Sequence, residues 1–138
     1  MLVILDTNVL VSAVGSKRGA SFQVVSRIGS DASDIAVSVP LVLEYESALL
    51  RHVEETELDR DDAVAIVDYI CLVAKRQPIF LLWRPLLRDP KDDMIAEAAI
   101  AAGCDAVVTH NRRDFDDLAK FGIKVLSPRE FLLTIGGR

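Results

Sequence analysis

The stretch that decides the fold reads Met1-Leu2-Val3-Ile4-Leu5-Asp6-Thr7-Asn8-Val9. Four apolar residues follow one another from Leu2 to Leu5, a pattern typical of a strand buried on both faces of a parallel sheet. The run ends abruptly at Asp6, which places a carboxylate at the carboxyl end of the strand. Because ligands bind at that edge of open α/β sheets, the stretch predicts both the kind of sheet and the position of a site.

The rest of the chain continues an alternation of apolar strands and amphipathic helices. Further strands are predicted at residues 35–39, 79–83, 106–109 and 124–126. Helices are predicted at residues 8–13, 20–28, 40–52, 61–74, 92–102, 115–121 and 128–135. Expected caps are Asp59, Asp89 and a capping box of Ser127 with Glu130. The pattern predicts a single α/β domain: a Rossmann-like parallel sheet of about five strands, flanked by helices on both faces, with helices 40–52 and 61–74 as a paired insertion.

Composition narrows the class of protein. The chain has 138 residues, of which 51% are hydrophobic, as expected for one globular domain. Its net charge of −5 argues against a uniformly basic nucleic-acid binder but allows a local basic patch. Two cysteines favour a reduced, cytoplasmic protein over a disulfide framework. Asp6 interrupts the first apolar run too early for a signal peptide, and no run approaches the roughly 20 apolar residues of a membrane span.

Acidic residues are found near the carboxyl ends of several predicted strands. Because parallel strands all point the same way, side chains far apart in sequence can converge at that edge of the sheet. The candidates are Asp6, Glu44, Asp92, Asp93 and Asp114. Neighbouring carboxylates raise each other's pKa, and a hard divalent cation such as Mg²⁺ removes that repulsion. A bound cation also activates water and stabilises charge on a phosphate, so the pattern predicts metal-assisted hydrolysis of a phosphodiester.

Each acid also has a structural interpretation. Asp6 and Asp114 can cap the helices that follow them, and Asp92, at the third helical position, favours the dipole of its helix. Asp93 can be an ordinary solvated charge. Glu46 has neighbours as apolar as those of Glu44. The pattern alone therefore leaves both the catalytic and the structural roles open.

Four motifs carry a resemblance to a known family. They are Val3-Ile4-Leu5-Asp6-Thr7-Asn8-Val9-Leu10-Val11-Ser12-Ala13, Leu43-Glu44-Tyr45-Glu46, Asp89-Pro90-Lys91-Asp92-Asp93 and Ala106-Val107-Val108-Thr109. With them the chain resembles the PIN-domain family, and within it the VapC-like ribonuclease toxins of toxin–antitoxin pairs. The resemblance implies a PIN domain over residues 1–135, followed by a frayed tail at 136–138. It also implies RNA cleavage that depends on Mg²⁺ or Mn²⁺.

The resemblance assigns roles to individual residues. It places the first acid at Asp6, the second at Glu44 and the third at Asp92, with Asp93 as the alternative. The expected metal ligands are therefore Asp6 and Asp92 or Asp93. Thr7 resembles the hydroxyl residue that supports the first acid.

The fourth acid departs from the family pattern. Many members carry Asp two positions after the strand-ending threonine, here Thr109, and this chain has Asn111 there. Asp114 matches a position that is also acidic in many relatives and is expected to complete the site. Asn8, Thr109 and Asn111 are the remaining supporting residues of the predicted site.

The resemblance also implies partners. An RNA substrate needs cations to hold its backbone, and the candidates are Lys17, Arg18, Arg112 and Arg113. A toxin of this family has a cognate antitoxin, of which a peptide segment lies in or across the acidic groove. Relatives typically form homodimers, here expected to use the inserted helices.

Other families fit the motifs less well. A haloacid-dehalogenase phosphotransferase needs a second Asp two positions after the first, where this chain has Asn8. A phosphoacceptor receiver domain needs adjacent acids before its phosphorylated Asp and a later Lys at a strand end, and we find neither arrangement. A non-catalytic PIN-like module that binds RNA or protein stays open because of Asn111.

Overall fold

The computed structural model describes residues 1–15, 19–29, 33–55, 59–76 and 90–136. The strands are β1 Leu2–Leu5, β2 Asp34–Val37, β3 Lys75–Arg76, β4 Ala106–Val108 and β5 Lys124–Leu126. The helices are α1 Thr7–Gly15, α2 Ala20–Ser26, α3 Val39–Glu55, α4 Arg60–Val73, α5 Pro90–Ala102, a 3₁₀ helix Arg112–Phe121 and α6 Pro128–Thr134. All strands are parallel and lie in the order β3-β2-β1-β4-β5, as the alternating pattern predicted.

The strand order reverses beside β1. The chain runs outward from β1 to β2 and β3, then returns to β4 on the other side of β1 and continues to β5. Right-handed crossovers place the helices of these two halves on opposite faces of the sheet. A crevice forms at such a reversal, outside the carboxyl ends of the two central strands. Asp6 directly follows β1 and Thr109 directly follows β4, so both residues lie at this crevice.

The apolar run of β1 forms the centre of the core. Ile4 and Leu5 are fully buried between β2 and β4, and Val3 is almost so. Truncating a fully buried leucine such as Leu5 to alanine typically costs about 2–5 kcal/mol of stability. The continuous apolar run is therefore explained by burial on both faces of a central parallel strand.

Local signals in the sequence set several helix ends. Asp59 caps α4 by accepting a hydrogen bond of 2.8 Å from the backbone of Asp61. Ser127 and Glu130 form the predicted capping box at the start of α6, with hydrogen bonds of 3.1 and 2.9 Å. Gly103 ends α5 with φ of +65°, a conformation that favours glycine.

The described part of the sheet contains a strand that the sequence pattern did not predict. The strand of the sheet that pairs with β2 is Lys75–Arg76, two exposed basic residues for which no apolar run gave a signal. The predicted strand at 79–83, together with Trp83 and the expected cap Asp89, lies outside the described residues. Among the described strands, β3 pairs with β2, and such a tertiary pairing gives no signal in the sequence pattern.

Two helix starts also differ from their predictions. The helix expected to begin at Phe115 begins at Arg112 as a 3₁₀ helix, so Asp114 lies inside its first turn and does not cap it. Helix α3 begins at Val39, which makes Pro40 its second residue. In the described ranges, no helix is both long enough and apolar enough to cross a bilayer.

Candidate active site

An open cleft of about 450 Å³ lies at the carboxyl ends of β1 and β4. The described residues that line it are Asp6, Thr7, Asn8, Val11, Ser12, Glu44, Ala48, Arg51, Asp92, Ile95, Asn111 and Asp114. Four of these residues are acids, and they come from the end of β1, from α3, from α5 and from the 3₁₀ helix. The fold therefore brings together side chains from four separate parts of the sequence.

Asp6 is held in place by hydrogen bonds from Thr109, which follows β4, and from Thr7, which begins α1. Its side chain is nearly buried, with 6% of its surface exposed. The hydroxyl of the fully buried Thr109 donates a hydrogen bond of 2.6 Å to one carboxylate oxygen, and the backbone N–H of Thr7 donates another. Thr109 Oγ1 in turn accepts a hydrogen bond of 2.9 Å from the backbone of Asn111. The hydroxyl that contacts the first acid is thus that of Thr109, and Thr7 contributes its backbone.

The surroundings of Asp6 raise the pKa of its carboxyl group. Burial is the largest cause, and the negative charge of Asp114 adds to it. The hydrogen bonds from Thr109 and Thr7, and the charge interaction with His110, lower this pKa without cancelling the effect of burial. A cation bound in the cleft would act in the lowering direction, because an opposite charge favours the ionised carboxylate.

Tyr45 anchors α3 to the end of β1. Its side chain is fully buried, and its hydroxyl donates a hydrogen bond to the backbone carbonyl of Leu5. Burial, followed by the charge of Asp6, raises the pKa of Tyr45 well above its usual value, so the hydroxyl keeps its proton. With Tyr45 fixed in the core, the preceding Glu44 lies along the cleft. Glu46 is exposed and is not among the described residues that line the cleft, a distinction that the sequence pattern could not make.

Sequence reasoning missed Arg51, which lines the same cleft. One of its terminal nitrogens lies 3.7 Å from a carboxylate oxygen of Glu44, and the other donates a hydrogen bond of 3.0 Å to the hydroxyl of Ser47. A spacing of seven residues places Arg51 two helical turns after Glu44 on the same face of α3. That spacing was the signal in the sequence that could have identified Arg51. The four motifs of the family resemblance do not include this residue.

The two adjacent acids of α5 lie in different surroundings. Asp92 lines the cleft, whereas Asp93 is 2% exposed and is not among the described residues that line it. Consecutive helical side chains point about 100° apart, so only one of the pair can face a given cleft directly. The geometry favours Asp92 over Asp93 as the acid of α5 that lines the cleft.

Polar contacts join the loop that follows β4 to two helices at the crevice. The side-chain oxygen of Asn8 accepts a hydrogen bond of 3.4 Å from the backbone of His110. A hydrogen bond of 2.8 Å joins His110 Nε2 to the hydroxyl of Ser21, which is buried in α2. These contacts tie the loop after β4 to α1 and α2, and the sequence pattern did not predict the contact with Ser21.

Two of the four predicted RNA-backbone cations, Arg112 and Arg113, lie in the described part of the chain but do not line the cleft. Arg112 forms a pair of hydrogen bonds of 3.0 and 3.1 Å with the carboxylate of Glu130, the residue that closes the capping box of α6. Arg113 is exposed, and neither arginine is among the described residues that line the cleft. Lys17 and Arg18 lie outside the described residues.

The donor set of the cleft suits a hydrated hard cation. Within the described part of the chain, no three acidic, histidine or cysteine side chains lie close enough to form a ready-made metal cage. Mg²⁺ does not require such a cage, because it keeps several waters and takes one or two carboxylates from the protein. The oxygen donors along this open cleft, with Asp6 at its buried end, are compatible with that mode of binding.

Comparison with models of known protein families identifies the family to which this chain belongs. Residues 2–113 match the family model described as PIN domain. The chain belongs to the PIN-domain family. The matched region runs from β1 to the start of the 3₁₀ helix and therefore contains three of the four acids of the cleft. The family resemblance read from the sequence motifs is confirmed.

Solved structures support the same fold for this PIN domain. One chain of the crystal structure of VapBC2 from Rickettsia felis, bound to a DNA fragment from their promoter, superimposes with a TM-score of 0.61. The match covers 92% of this chain and 98% of that chain, at 15% sequence identity. At that identity the likeness shows the fold alone. No curated protein matches the sequence at a significant level.

Proposed function

We propose that this PIN-domain protein is an endoribonuclease that depends on Mg²⁺ or Mn²⁺. The observation that carries the proposal is the convergence of Asp6, Glu44, Asp92 and Asp114 on one cleft at the carboxyl ends of β1 and β4. The negative charge of Asp114 adds to the raised pKa of Asp6, and a bound cation would offset such repulsion. Membership of the PIN-domain family, whose members are typically metal-dependent nucleases, agrees with this chemistry.

In this proposal, Asp6 and Asp92 hold the cation, and Asp93 is the alternative ligand on α5. When bound there, a divalent cation lowers the pKa of a coordinated water and stabilises negative charge on the phosphate oxygens. Thr109 and the backbone of Thr7 keep the carboxylate of Asp6 oriented towards the cleft. Glu44 and Asp114 add negative charge at the sides of the cleft, where they can accept protons from water.

The test is cleavage of RNA by purified protein in Mg²⁺. We expect the native protein to cut single-stranded or structured RNA, and we expect Asp6→Asn and EDTA treatment to abolish cutting. The matched pair Glu44→Gln and Glu46→Gln compares an acid that lines the cleft with a neighbouring acid of α3 that is not among its described lining residues. Loss of cutting in Glu44→Gln and retention of cutting in Glu46→Gln supports the proposal. Equal cutting by the native protein and Asp6→Asn identifies a contaminating nuclease and contradicts it.

A second candidate function is a non-catalytic module that binds RNA or protein. The observation in its favour is the neutral Asn111, which lines the cleft where many family members carry an acid. Absence of cutting by the native protein in either Mg²⁺ or Mn²⁺, together with measurable RNA binding, would favour this function over the nuclease.

We also propose that the protein is the cytoplasmic toxin of a type II toxin–antitoxin pair, with residues 1–135 forming the PIN domain. The fold likeness to a chain of a VapBC2 complex supports a partner of this kind. A cognate antitoxin would place a peptide segment in or across the acidic cleft. Co-expression with the product of a neighbouring small reading frame should yield a stable complex that has lost nuclease activity. A complex that keeps full activity would contradict this role.

A homodimer is the third part of the proposal. Val39 and Leu43 on α3 and Leu72 on α4 are large apolar residues with 74%, 60% and 82% of their surfaces exposed. Their position on the paired helices favours association through α3 and α4. Light scattering should give the mass of two chains, and Leu72→Glu should shift it to one. A native mass of one chain would remove this part of the proposal.

A further inference from the structure

Arg51 supplies positive charge in an otherwise acidic cleft. Among the described residues that line the cleft, it is the one with a cationic side chain, and four of the others are acids. RNA is a polyanion, so its approach to such a surface needs cationic groups as well as a bound metal ion. Arg112, by contrast, is paired with Glu130 away from the lining of the cleft.

The contacts of Arg51 orient its guanidinium group and leave some of its N–H donors for another ligand. Its side chain is 56% exposed, and its two terminal nitrogens contact Ser47 at 3.0 Å and Glu44 at 3.7 Å. A guanidinium group has five N–H donors, more than these two contacts use. An ion pair of 3.7 Å with a partly exposed arginine is weak and exchanges readily for another anion.

We infer that Arg51 is a phosphate-binding residue for the RNA substrate, positioned by Glu44 and Ser47 on the same face of α3. The inference rests on the proposed ribonuclease function of this cleft. Arginine matches the geometry of a phosphate group through two parallel hydrogen bonds, and it keeps its charge at any physiological pH. In this arrangement Glu44 has a second role besides its charge, because it holds the guanidinium group beside the cleft.

The first experiment compares the kinetics of RNA cleavage in Mg²⁺ for the native protein, Arg51→Ala and Arg51→Lys. Arg60→Ala is the matched control, because Arg60 is exposed at the start of α4 and is not among the described residues that line the cleft. We expect Arg51→Ala to raise KM about tenfold, equivalent to about 1.4 kcal/mol, with little change in kcat. Arg51→Lys should recover part of the loss, because it restores the charge but not the paired hydrogen bonds.

The second experiment measures binding and does not depend on turnover. Affinity for a short single-stranded RNA is measured at several salt concentrations in Mg²⁺, with every variant built on Asp6→Asn to prevent cleavage. Loss of one phosphate contact to a single strand should reduce the slope of log Kd against log salt by about 0.7. We expect that reduction for Arg51→Ala and not for Arg60→Ala, and a merely structural role for Arg51 would not produce it.

The two experiments separate failure of this inference from failure of the proposed function. If the native protein cuts RNA and Arg51→Ala has unchanged KM and salt slope, the inference is wrong and the nuclease proposal stands. If the native protein does not cut, but Arg51→Ala still reduces the salt slope, the cleft binds RNA phosphate without catalysis. If Asp6→Asn and its Arg51→Ala derivative bind RNA with the same affinity and salt slope, or neither binds, the inference is overturned.

Discussion

Thr109 and Asp6 are joined by a buried hydrogen bond of 2.6 Å that spans the carboxyl ends of the two central strands. The strands β1 and β4 lie side by side there, at the point where the strand order reverses. The hydroxyl of Thr109 also accepts a hydrogen bond from the backbone of Asn111. One side chain therefore orients the first acid and the loop that carries Asn111 at the same time.

Replacing Thr109 by valine tests this relationship. The substitution keeps the shape of the side chain but leaves the carboxylate of Asp6 and the N–H of Asn111 without this partner. We expect the free energy of unfolding to fall by about 1–3 kcal/mol. Affinity for Mn²⁺ should fall about 10–100-fold, as is typical when the orientation of a metal ligand is lost. Urea unfolding and a Mn²⁺ titration measure the two effects. Thr109→Ser keeps the hydroxyl. If it lost as much Mn²⁺ affinity as Thr109→Val, the role of the Thr109 hydroxyl in orienting Asp6 would be contradicted.

Asp6→Asn should stabilise the metal-free protein at neutral pH. The raised pKa of Asp6 means that the folded protein holds this proton more tightly than the unfolded chain does. The cost of the buried charge is therefore present at neutral pH, and it disappears as the pH falls through the folded pKa towards the unfolded value of about 4.

Thermal unfolding in EDTA measures this effect across pH. The melting temperature of Asp6→Asn should exceed that of the native protein at pH 7, and the difference should shrink as the pH approaches 4. Added Mg²⁺ should reverse the order at pH 7, because only the native protein gains stability from the bound ion. A native protein that is more stable than Asp6→Asn in EDTA at pH 7 would contradict the dominance of burial.

The two acids of α5 should respond differently to substitution. Asp92 lines the cleft and Asp93 is buried. We expect Asp92→Asn to abolish most RNA cleavage with a small change in melting temperature, and Asp93→Asn to lower the melting temperature more than Asp92→Asn does. Cleavage rates and thermal unfolding of the two variants decide the assignment. Retention of activity in Asp92→Asn, with its loss in a folded Asp93→Asn, would make Asp93 the ligand.

Asn111→Asp should strengthen metal binding. Asn111 is exposed and lines the cleft, at the position where the family resemblance predicts an acid. An added carboxylate gives Mg²⁺ or Mn²⁺ a charged oxygen ligand in place of a neutral amide. Calorimetric titration with Mn²⁺ should therefore show a lower dissociation constant than that of the native protein. Asp116→Asn, on the exposed side of the same 3₁₀ helix, is the control and should bind Mn²⁺ as the native protein does. An unchanged constant in Asn111→Asp would place the ion away from this loop.

Much of the fold follows from local signals in the sequence. The apolar run of β1, the cap at Asp59 and the capping box at Ser127 lie where the pattern placed them. The strand β3 could not be predicted, because Lys75–Arg76 is short, basic and exposed, and its pairing with β2 is a tertiary contact. The start of the 3₁₀ helix was missed by three residues, because Asp114 had the pattern of a cap.

The site was predictable as a set of acids but not as a set of contacts. Position at a strand end identified Asp6, and family motifs identified Glu44 and Asp92. Hydrophobic pattern alone could not choose between Glu44 and Glu46. The burial of Tyr45, which fixes the rotation of α3, explains why Glu44 is the one that lines the cleft. Arg51 escaped sequence reasoning because a lone arginine two turns along an exposed helix face looks like ordinary surface charge.

The central claim is that carboxylates from separate parts of the chain bind one divalent cation in this cleft. The most direct measurement is anomalous scattering from crystals of the native protein soaked in Mn²⁺. We predict a Mn²⁺ peak in the cleft with oxygens of Asp6 and Asp92 among its ligands, and loss of that peak in Asp6→Asn. A crystal that has an ordered cleft and no Mn²⁺ peak there at millimolar Mn²⁺, or a peak that persists in Asp6→Asn, would contradict the account.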